Sequence, residues 1–183
     1  MGYFAVIDTE TNWADQVMSI GTVIAEAGSC RQVDAKYHIL PRECEMGGMY
    51  YDALFLRTPV EPVRCSRDRA VGEILGWLNS RGVTDIFAYN ARFDRNHIPE
   101  LRRLCWHDIM ALAAYRQHNP RIPATAELCG TGRLKRGYGV EPMLRLLSGD
   151  RTYRETHNAL FDAMDELKIM GLLGREIWEY PAL

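Results

Sequence analysis

Apolar and β-branched residues dominate three short stretches at the start of the chain, residues 2–8, 17–25 and 31–40. The first two stretches are almost continuously apolar, and the third alternates apolar and polar positions until it stops at Pro41. Both patterns are typical of β-strands. Because the connections between the stretches are short, we expect neighbouring strands to run antiparallel. The pattern therefore predicts a three-stranded meander.

The remainder of the chain alternates helical and strand patterns, after a loop-rich stretch at 41–64. The predicted elements are a strand at 84–89 and helices at 67–80, 94–104, 111–118, 142–147 and 158–173. Ser66 and Asn158 are expected to be helix N-caps. A meander followed by alternating helices and strands predicts one mixed α/β sheet flanked by helices. Since the sequence contains no linker or repeat, we expect a single domain over residues 1–183.

Composition excludes several protein classes. Hydrophobic residues make up 47% and charged residues 25% of the chain, which is typical of a globular protein rather than a disordered or collagen-like one. No apolar run reaches the roughly 20 residues of a membrane helix, and the N-terminal apolar stretch is too short for a signal peptide. We therefore expect a soluble, cytoplasmic protein without a membrane partner.

The five cysteines are odd in number and widely spaced, and they contain no Cys-x-x-Cys pair. Such spacing predicts reduced thiols rather than a disulfide framework or a structural zinc site.

The formal net charge of −2 gives no overall attraction to nucleic acid. Residues 111–156 nevertheless carry eight positive and four negative charges. This local excess suits a polynucleotide backbone, and it is equally typical of an ordinary solvated loop.

Carboxylates stand where the regular elements begin or end. Asp8 and Glu10 close the first predicted strand. Side chains two residues apart in a strand share a face, so these two converge while Thr9 points away. Adjacent carboxylates repel each other unless a cation lies between them. Taken alone, the pair is also typical of a solvated turn.

Further polar residues follow the strand at 84–89 and flank the start of the last helix. Asp94 opens a helix, where the helix dipole favours a carboxylate, and Asn90 is a common turn residue. Asp162 lies one turn inside the last helix, so His157 must act from the loop before it. Each of these residues alone has a structural interpretation as a cap, a turn or a solvated side chain.

The four acids and the histidine together favour a metal site. Strand ends and helix N-termini of an α/β sheet line the edge at which ligands bind. Four carboxylates gathered there require divalent cations, and oxygen ligands suit Mg²⁺ or Mn²⁺ rather than zinc.

Three short motifs also carry a resemblance to a known family. In chain order they are Asp8-Thr9-Glu10, Asn90-x-x-Phe93-Asp94 and His157-x4-Asp162. They resemble the three exonuclease motifs of the DEDDh 3′–5′ exonucleases, the DnaQ-like family of the ribonuclease H-like superfamily. The resemblance spans residues 7–162. It implies an α/β fold of ribonuclease H-like type, a mixed five-stranded sheet with the antiparallel meander first and parallel strands after it, flanked by helices.

Carried over by position, the resemblance implies a two-metal phosphodiester hydrolase that uses Mg²⁺ or Mn²⁺. Asp8 matches the ligand that bridges the two ions. Glu10 and Asp162 match further ligands of the first ion, and Asp94 matches a ligand of the second. His157 matches the general base that deprotonates the attacking water, a role that suits an ordinary pKa of about 6.5.

The substrate that the resemblance implies is the 3′ end of single-stranded DNA or RNA, with nucleoside monophosphates as products. The candidate substrate contacts are Thr9, Thr11, Asn12, Trp13, Asn90 and Phe93. Family members commonly carry a glycine after the first motif, where this chain has Asn12-Trp13, which leaves the shape of that loop open. Trp13 is expected either to stack on a base or to cap the core.

Two alternatives stay open. One is an RNA-specific exoribonuclease that resembles ribonuclease T or oligoribonuclease. The other is a catalytically idle module of the same fold that binds nucleic acid or a polymerase, although the intact acids and histidine argue against idleness. The sequence decides neither between DNA and RNA nor between a monomer, a homodimer and a polymerase-associated chain.

Overall fold

A six-stranded sheet forms the centre of the protein. The structure, a computed structural model, describes residues 2–183. The strands are β1 (Tyr3–Thr11), β2 (Val17–Glu26), β3 (Gln32–Ile39), β4 (Val63–Arg64), β5 (Asp85–Ala88) and β6 (Cys105–Asp108). They lie in the order β4-β3-β2-β1-β5-β6. The first three pair antiparallel, and the others join in parallel. The predicted mixed sheet with its meander first is confirmed.

The sheet has one strand more than the five expected. The additional strand β4 has two residues, which pair with the end of β3 at the sheet edge. So short a strand leaves no periodicity in the sequence. The first strand is also longer than predicted, because β1 stays paired with β2 as far as Thr11. Asp8 and Glu10 therefore both lie within β1.

Helices cover the two faces of this sheet. They are α1 (Pro41–Cys44), α2 (Arg67–Ser80), α3 (Arg92–His97), α4 (Met110–Ala113), α5 (Val140–Ser148) and α6 (Ala159–Leu173), with 3-10 turns at Tyr51–Phe55, Pro99–Leu101 and Ile177–Glu179. Ser66 occupies the N-cap position of α2. Asn158 caps α6 as predicted, since its side-chain oxygen accepts from the backbone nitrogens of Leu160 and Phe161. Within residues 2–183, every helix falls short of the length and apolarity needed to cross a membrane.

Two helices are shorter than the sequence pattern predicts. The helix expected at 94–104 is interrupted because Pro99 lacks a backbone N–H and disfavours helical geometry at Ile98, which adopts φ −124° and ψ 66°. The helix expected at 111–118 ends early because the carbonyl of Ala114 accepts from the backbone nitrogen of Leu134 at 3.0 Å. A pairing with a distant segment has replaced the next helical turn.

Two hydrophobic layers pack against opposite faces of the sheet. On one face, α2 buries side chains that include Ile74 and Leu78. On the other face, α5 and α6 bury Met143 and Leu160 among others. The site described below lies where the second layer meets the carboxyl end of β1.

The first turn of α6 lies directly on β2 at Gly21. A Cβ atom at this position would stand 2.0 Å from the backbone oxygen of Ala159. Gly21 pairs with Asp8 across the β1–β2 ladder, and directly opposed residues of such a ladder share a face. The missing side chain therefore lets the start of α6 reach the part of the sheet that carries Asp8.

We expect Gly21→Ala to lower the free energy of unfolding by about 3 kcal/mol, the upper part of the usual range for overpacking, because the added Cβ meets backbone that has no rotamer to change. As a control, Gly76→Ala should be neutral or stabilising by roughly 0.5–1 kcal/mol. Gly76 lies inside α2, and no atom of residues 2–183 lies within 4 Å of an added Cβ. Urea denaturation measures both effects, and equal stabilities of the two variants would contradict the close contact.

Candidate active site

The predicted acidic residues gather around one open cavity of about 460 Å³. β1 supplies Asp8 and Glu10, α3 supplies Asp94, and the first turn of α6 supplies Asp162. The residues that line the cavity are Asp8, Thr9, Glu10, Thr11, Asn12, Trp13, Asp15, Met49, Tyr50, Phe93, Glu155, His157 and Asp162. Asp94 is 2% exposed and lies behind this lining. The structure thus brings together residues from all three sequence motifs.

Thr9 connects β1 to α3. Its hydroxyl donates to Asp94 Oδ1 at 2.8 Å, and both side chains are buried. Sequence analysis placed Thr9 among the substrate contacts. In the structure this hydroxyl holds a carboxylate in position and so fixes how α3 meets β1.

A fifth acid, Glu166, belongs to the same group. It lies one helical turn after Asp162 on α6 and is 1% exposed. Asp165 accepts a hydrogen bond from the hydroxyl of Tyr153. The four-residue spacing from Asp162 was the signal for Glu166, because residues i and i+4 share a helix face. We call Asp8, Glu10, Asp94, Asp162 and Glu166 the acidic cluster.

Burial raises the pKa values of Glu10 and Asp162 in the acidic cluster. The pKa of Glu10 rises to about 8, because burial and the facing charges of Glu155 and Asp94 disfavour its ionised form. The pKa of Asp162 rises to about 9, again through burial first and then through the charges of Glu155 and Glu10. These two carboxyl groups therefore hold protons near neutral pH when no cation is bound.

The pKa values of the other members, Asp8, Asp94 and Glu166, are raised as well. The pKa of Asp94 rises to about 7, since burial outweighs the hydrogen bond from Thr9 that favours its ionised form. Burial and the charge of Asp94 raise the pKa values of Asp8 and Glu166 well above their ordinary range. The acidic cluster is therefore a set of mutually repelling groups in a site of low solvation.

Three oxygens of the acidic cluster lack a hydrogen-bond partner among residues 2–183. They are Asp8 Oδ2, Asp162 Oδ1 and Glu166 Oε2, and each is inaccessible to solvent. Buried polar atoms of this kind are costly unless something satisfies them. In addition, Glu10, His157 and Asp162 each offer one donor atom within 4.8 Å of the others. This donor set, rich in carboxylate oxygen, fits divalent cations.

His157 faces the cavity from the loop before α6, as predicted. Its backbone is left-handed, with φ 54°, a conformation that few residues other than glycine adopt. Its ring stacks on that of Tyr50, with centroids 3.8 Å apart and planes 13° apart. Burial lowers the pKa of His157, while Glu141 opposes this shift. The ring is thus held in one plane, and burial favours its uncharged form.

Asn158 anchors the loop that carries His157. The Asn158 side chain is fully buried and donates to the carbonyl of Ala53 at 2.7 Å and to the hydroxyl of Tyr37 at 3.0 Å. The first bond ties the start of α6 to the segment 41–64. This segment supplies Tyr50, which sequence analysis did not include in the site because a loop without periodicity gave no sign of its position.

The remaining predicted substrate contacts divide into two groups. Thr11, Trp13 and Phe93 line the cavity, and Trp13 is 67% exposed, so it does not cap the core. Asn12 also lines the cavity, but its Oδ1 accepts from the backbone of residues 14 and 16 and shapes the loop. Asn90 lies outside the lining. Its exposed side chain belongs to a turn with φ 62°.

Some of the positively charged side chains in residues 111–156 form ion pairs or hydrogen bonds within the protein. Arg145 lies 2.5 Å from Glu141, and Arg116 donates to backbone carbonyls of its own loop. Among the described residues, those that line the cavity include neither lysine nor arginine, and this stretch contributes Glu155 instead. Of the two interpretations that the charge count left open, a basic contact for a polynucleotide is therefore not found at the cavity wall.

The architecture is similar to that of solved nucleases. The nuclease domain of 3′hExo, a DEDDh family member solved with bound rAMP, gives a TM-score of 0.66 at 13% identity over 99% of this chain and 96% of that one. This chain has the DEDDh exonuclease fold. Exonuclease I of Methylocaldum szegediense and that of E. coli, the latter solved with an oligonucleotide, each give a TM-score of 0.60, at 13% and 11% identity. No protein-family model and no curated protein matches the sequence.

The comparisons confirm the predicted resemblance as a likeness of fold. The chain spans 40% of each Exonuclease I chain and nearly all of the 3′hExo domain. Within this DEDDh fold, the three sequence motifs lie on β1, on α3 with the turn before it, and at the start of α6. These elements meet at the carboxyl ends of β1 and β5, where the cavity opens.

Without metal, this DEDDh-fold protein should become more stable as the pH falls from about 9 to about 6. The folded-state pKa values of Glu10, Asp94 and Asp162 are about 8, 7 and 9, well above the ordinary value of roughly 4 for an unfolded chain. The folded state therefore takes up protons that the unfolded state does not bind. This stabilisation is complete below the unfolded values and is lost as the pH rises through the folded ones. Thermal unfolding in EDTA measures it.

Glu166→Gln should raise the melting temperature of the metal-free protein at about pH 8 and flatten this pH dependence, because it removes one buried charge. Glu61→Gln, the same change at an exposed glutamate outside the acidic cluster, is the control and should alter neither quantity. A lower melting temperature for Glu166→Gln with an unchanged slope would show that the acids do not destabilise one another.

Proposed function

We propose that the protein is a metal-dependent 3′–5′ exonuclease that hydrolyses single-stranded nucleic acid to nucleoside monophosphates. The observation that carries this proposal is the acidic cluster, which holds three buried and unpartnered carboxylate oxygens next to an open cavity that His157 also lines. The fold supports the same conclusion, since it is that of DEDDh exonucleases. A module that only bound nucleic acid would gain nothing from such mutual repulsion.

Four acids would hold the metal ions. Asp8 has an unpartnered oxygen, and the charges of acids on both α3 and α6 act on it, so it suits the bridging position between two ions. Glu10 and Asp162 would be further ligands of the first ion, and Asp94 would be a ligand of the second. When bound, two Mg²⁺ or Mn²⁺ ions would stabilise the attacking and leaving oxygens of an in-line phosphodiester hydrolysis.

His157 acts as the general base in this proposal. One of its ring nitrogens accepts the proton of the attacking water. Burial lowers its pKa, which keeps the ring ready to accept that proton at neutral pH. Stacking on Tyr50 fixes the plane of the ring, so Tyr50 is a positioning residue.

The cavity walls favour a single-stranded end. Trp13 and Phe93 expose 67% and 39% of their surface beside the cavity, and exposed rings stack on unpaired bases without regard to sequence. The 3′hExo domain was solved with rAMP, a nucleoside monophosphate, and E. coli Exonuclease I with single-stranded DNA. Both observations support a free strand end as the substrate and a monophosphate as the product.

The proposal is tested with 5′-labelled single-stranded DNA and RNA in Mg²⁺ or Mn²⁺. We expect stepwise shortening from the 3′ end, loss of activity in EDTA, and resistance of a 3′-blocked but not a 5′-blocked strand. Comparing the two substrates separates a general nuclease from an RNA-specific one. Equal cleavage of circular and linear strands would indicate an endonuclease, and full activity in excess chelator would defeat the metal requirement.

His157→Ala should lower turnover by about 10²–10⁴-fold, the usual contribution of general acid–base catalysis, and should retain Mn²⁺ and substrate binding. Asp8→Ala should lose metal binding together with activity, because Asp8 would contact both ions. Single-turnover kinetics and calorimetric Mn²⁺ titration distinguish the two variants. Loss of Mn²⁺ binding in His157→Ala would make this residue a ligand instead of a base.

Two substitutions at Tyr50 provide the matched comparison. Tyr50→Phe keeps the stacked ring and should leave turnover nearly unchanged. Tyr50→Ala removes the ring that fixes His157 and should lower turnover with little change in Mn²⁺ affinity. Equal turnover in both variants would show that the stack does not position the base.

A further inference from the structure

A second group of metal-ligating side chains lies at the opposite edge of the sheet. Asp85 begins β5, and Cys105 and His107 lie on the neighbouring strand β6, where Asp85 pairs with Cys105. One donor atom of each lies within 4.8 Å of the other two. None of the three is among the described residues that line the active-site cavity. They lie at the amino end of β5, whereas the acidic cluster lies beyond its carboxyl end.

The hydrogen bonds of His107 fix which ring nitrogen is free to bind a cation. Its Nδ1 lies 2.9 Å from the carbonyl oxygen of Tyr180. A carbonyl oxygen only accepts, so Nδ1 carries the hydrogen and Nε2 is the nitrogen available as a ligand. A backbone carbonyl bound to the other ring nitrogen is the usual support for a metal-ligating histidine.

Nε2 of His107 faces the carboxylate of Asp85. His107 Nε2 lies 2.8 Å from Asp85 Oδ1, and in the neutral ring a lone pair would face a carboxylate oxygen. This is a hydrogen-bond distance, and a cation bound to both atoms would replace the hydrogen between them. The ring cannot turn away, because it is 8% exposed and stacks on Phe87 with centroids 4.6 Å apart.

Cys105 distinguishes a metal ion from a proton. It is exposed, whereas the other four cysteines are buried or half-buried. Because Cys105 and His107 are two residues apart on one strand, both side chains stand on the face that Asp85 shares. A hydrogen-bonded His–Asp pair has no use for a thiol, but a cation does. Sulfur, nitrogen and oxygen donors together are typical of Zn²⁺, whereas Mg²⁺ and Mn²⁺ prefer oxygen alone.

We propose that Asp85, Cys105 and His107 bind one Zn²⁺ ion, with a fourth position open to water. The ion joins β5 to β6 and, through the Tyr180 carbonyl behind His107, secures the segment 180–183. This segment already pairs with β6, since Leu183 donates its backbone nitrogen to a β6 carbonyl at 2.9 Å. The site differs from the acidic cluster in its position and in the class of metal that it selects.

Co²⁺ substitution gives a readout specific to this site. Thiolate bound to Co²⁺ produces a charge-transfer absorption that oxygen and nitrogen ligands do not produce, so Co²⁺ in the acidic cluster is silent in this band. We expect the EDTA-treated full chain, in saturating Mg²⁺, to develop the band with one equivalent of Co²⁺ and to lose it when Zn²⁺ is added. Absence of the band would overturn the proposal and leave an ordinary His–Asp ion pair.

Matched variants that leave the buried His107 in place complete the test. Cys105→Ser should abolish the band, and Asp85→Asn should weaken Co²⁺ affinity at least tenfold. Cys129→Ser, at a half-buried cysteine outside the group, should change neither. The same band in Cys105→Ser would assign it to another thiol and refute the site.

Thiol reactivity provides an independent measurement with Zn²⁺ itself. Because Cys105 is the exposed cysteine, iodoacetamide should modify it first in the native protein. Zn²⁺ should slow this reaction at least tenfold, while modification of Cys129 keeps its rate. Equal alkylation of Cys105 with and without Zn²⁺ would show that the thiolate does not bind the ion.

Discussion

The arrangement of the site depends on one backbone contact, the seat of the first turn of α6 on Gly21. Any side chain there would meet the carbonyl of Ala159 at 2.0 Å from its Cβ. Because Gly21 stands opposite Asp8 in the strand ladder, this contact sets how near α6 comes to β1. Asp162 and Glu166 reach the acidic cluster only because the helix lies so low on the sheet. Gly21 thus affects the site only by setting the distance between α6 and β1.

The acidic cluster destabilises the folded state. Burial and mutual repulsion raise the pKa values of its members, which in a metal-free protein favours opening of the β1–α6 contact. Fixed polar contacts resist that opening, among them the bond from Thr9 to Asp94 and the bond from Asn158 to the segment 41–64. The hydrophobic layers on both faces supply the remaining stability. A cation that bound the acidic cluster would therefore also stabilise the fold.

The sequence was informative where function coincides with local pattern. Asp8, Glu10, Asp94 and Asp162 stand at the ends of strands or the starts of helices, and the periodicity of those elements was enough to bring them to one edge of the sheet. Tyr50 escaped prediction because its position depends on a loop without periodicity. The two-residue strand β4 was not predicted for the same reason, because so short an element has no periodicity.

The zinc-type group shows a different limit of sequence reasoning. The search for Cys-x-x-Cys pairs looks for ligands that are neighbours in sequence. Asp85 and Cys105 become neighbours only through the pairing of β5 with β6, and a one-residue shift of that register would turn the donors to opposite faces. Register is a property of the assembled sheet, so spacing along the chain could not reveal this group.

Two hydrogen bonds hold the loop after β1 at the rim of the cavity. The Asn12 side chain donates to the carbonyl of Glu43 at 2.9 Å, and the backbone nitrogen of Trp13 donates to the carbonyl of Gly47 at 3.1 Å. These bonds join the loop after β1 to the segment 41–64. The same segment contacts His157 through Tyr50 and Asn158 through Ala53. Under the proposed function, a substitution in the segment 41–64 would therefore alter both the contact with a strand end and the position of the base.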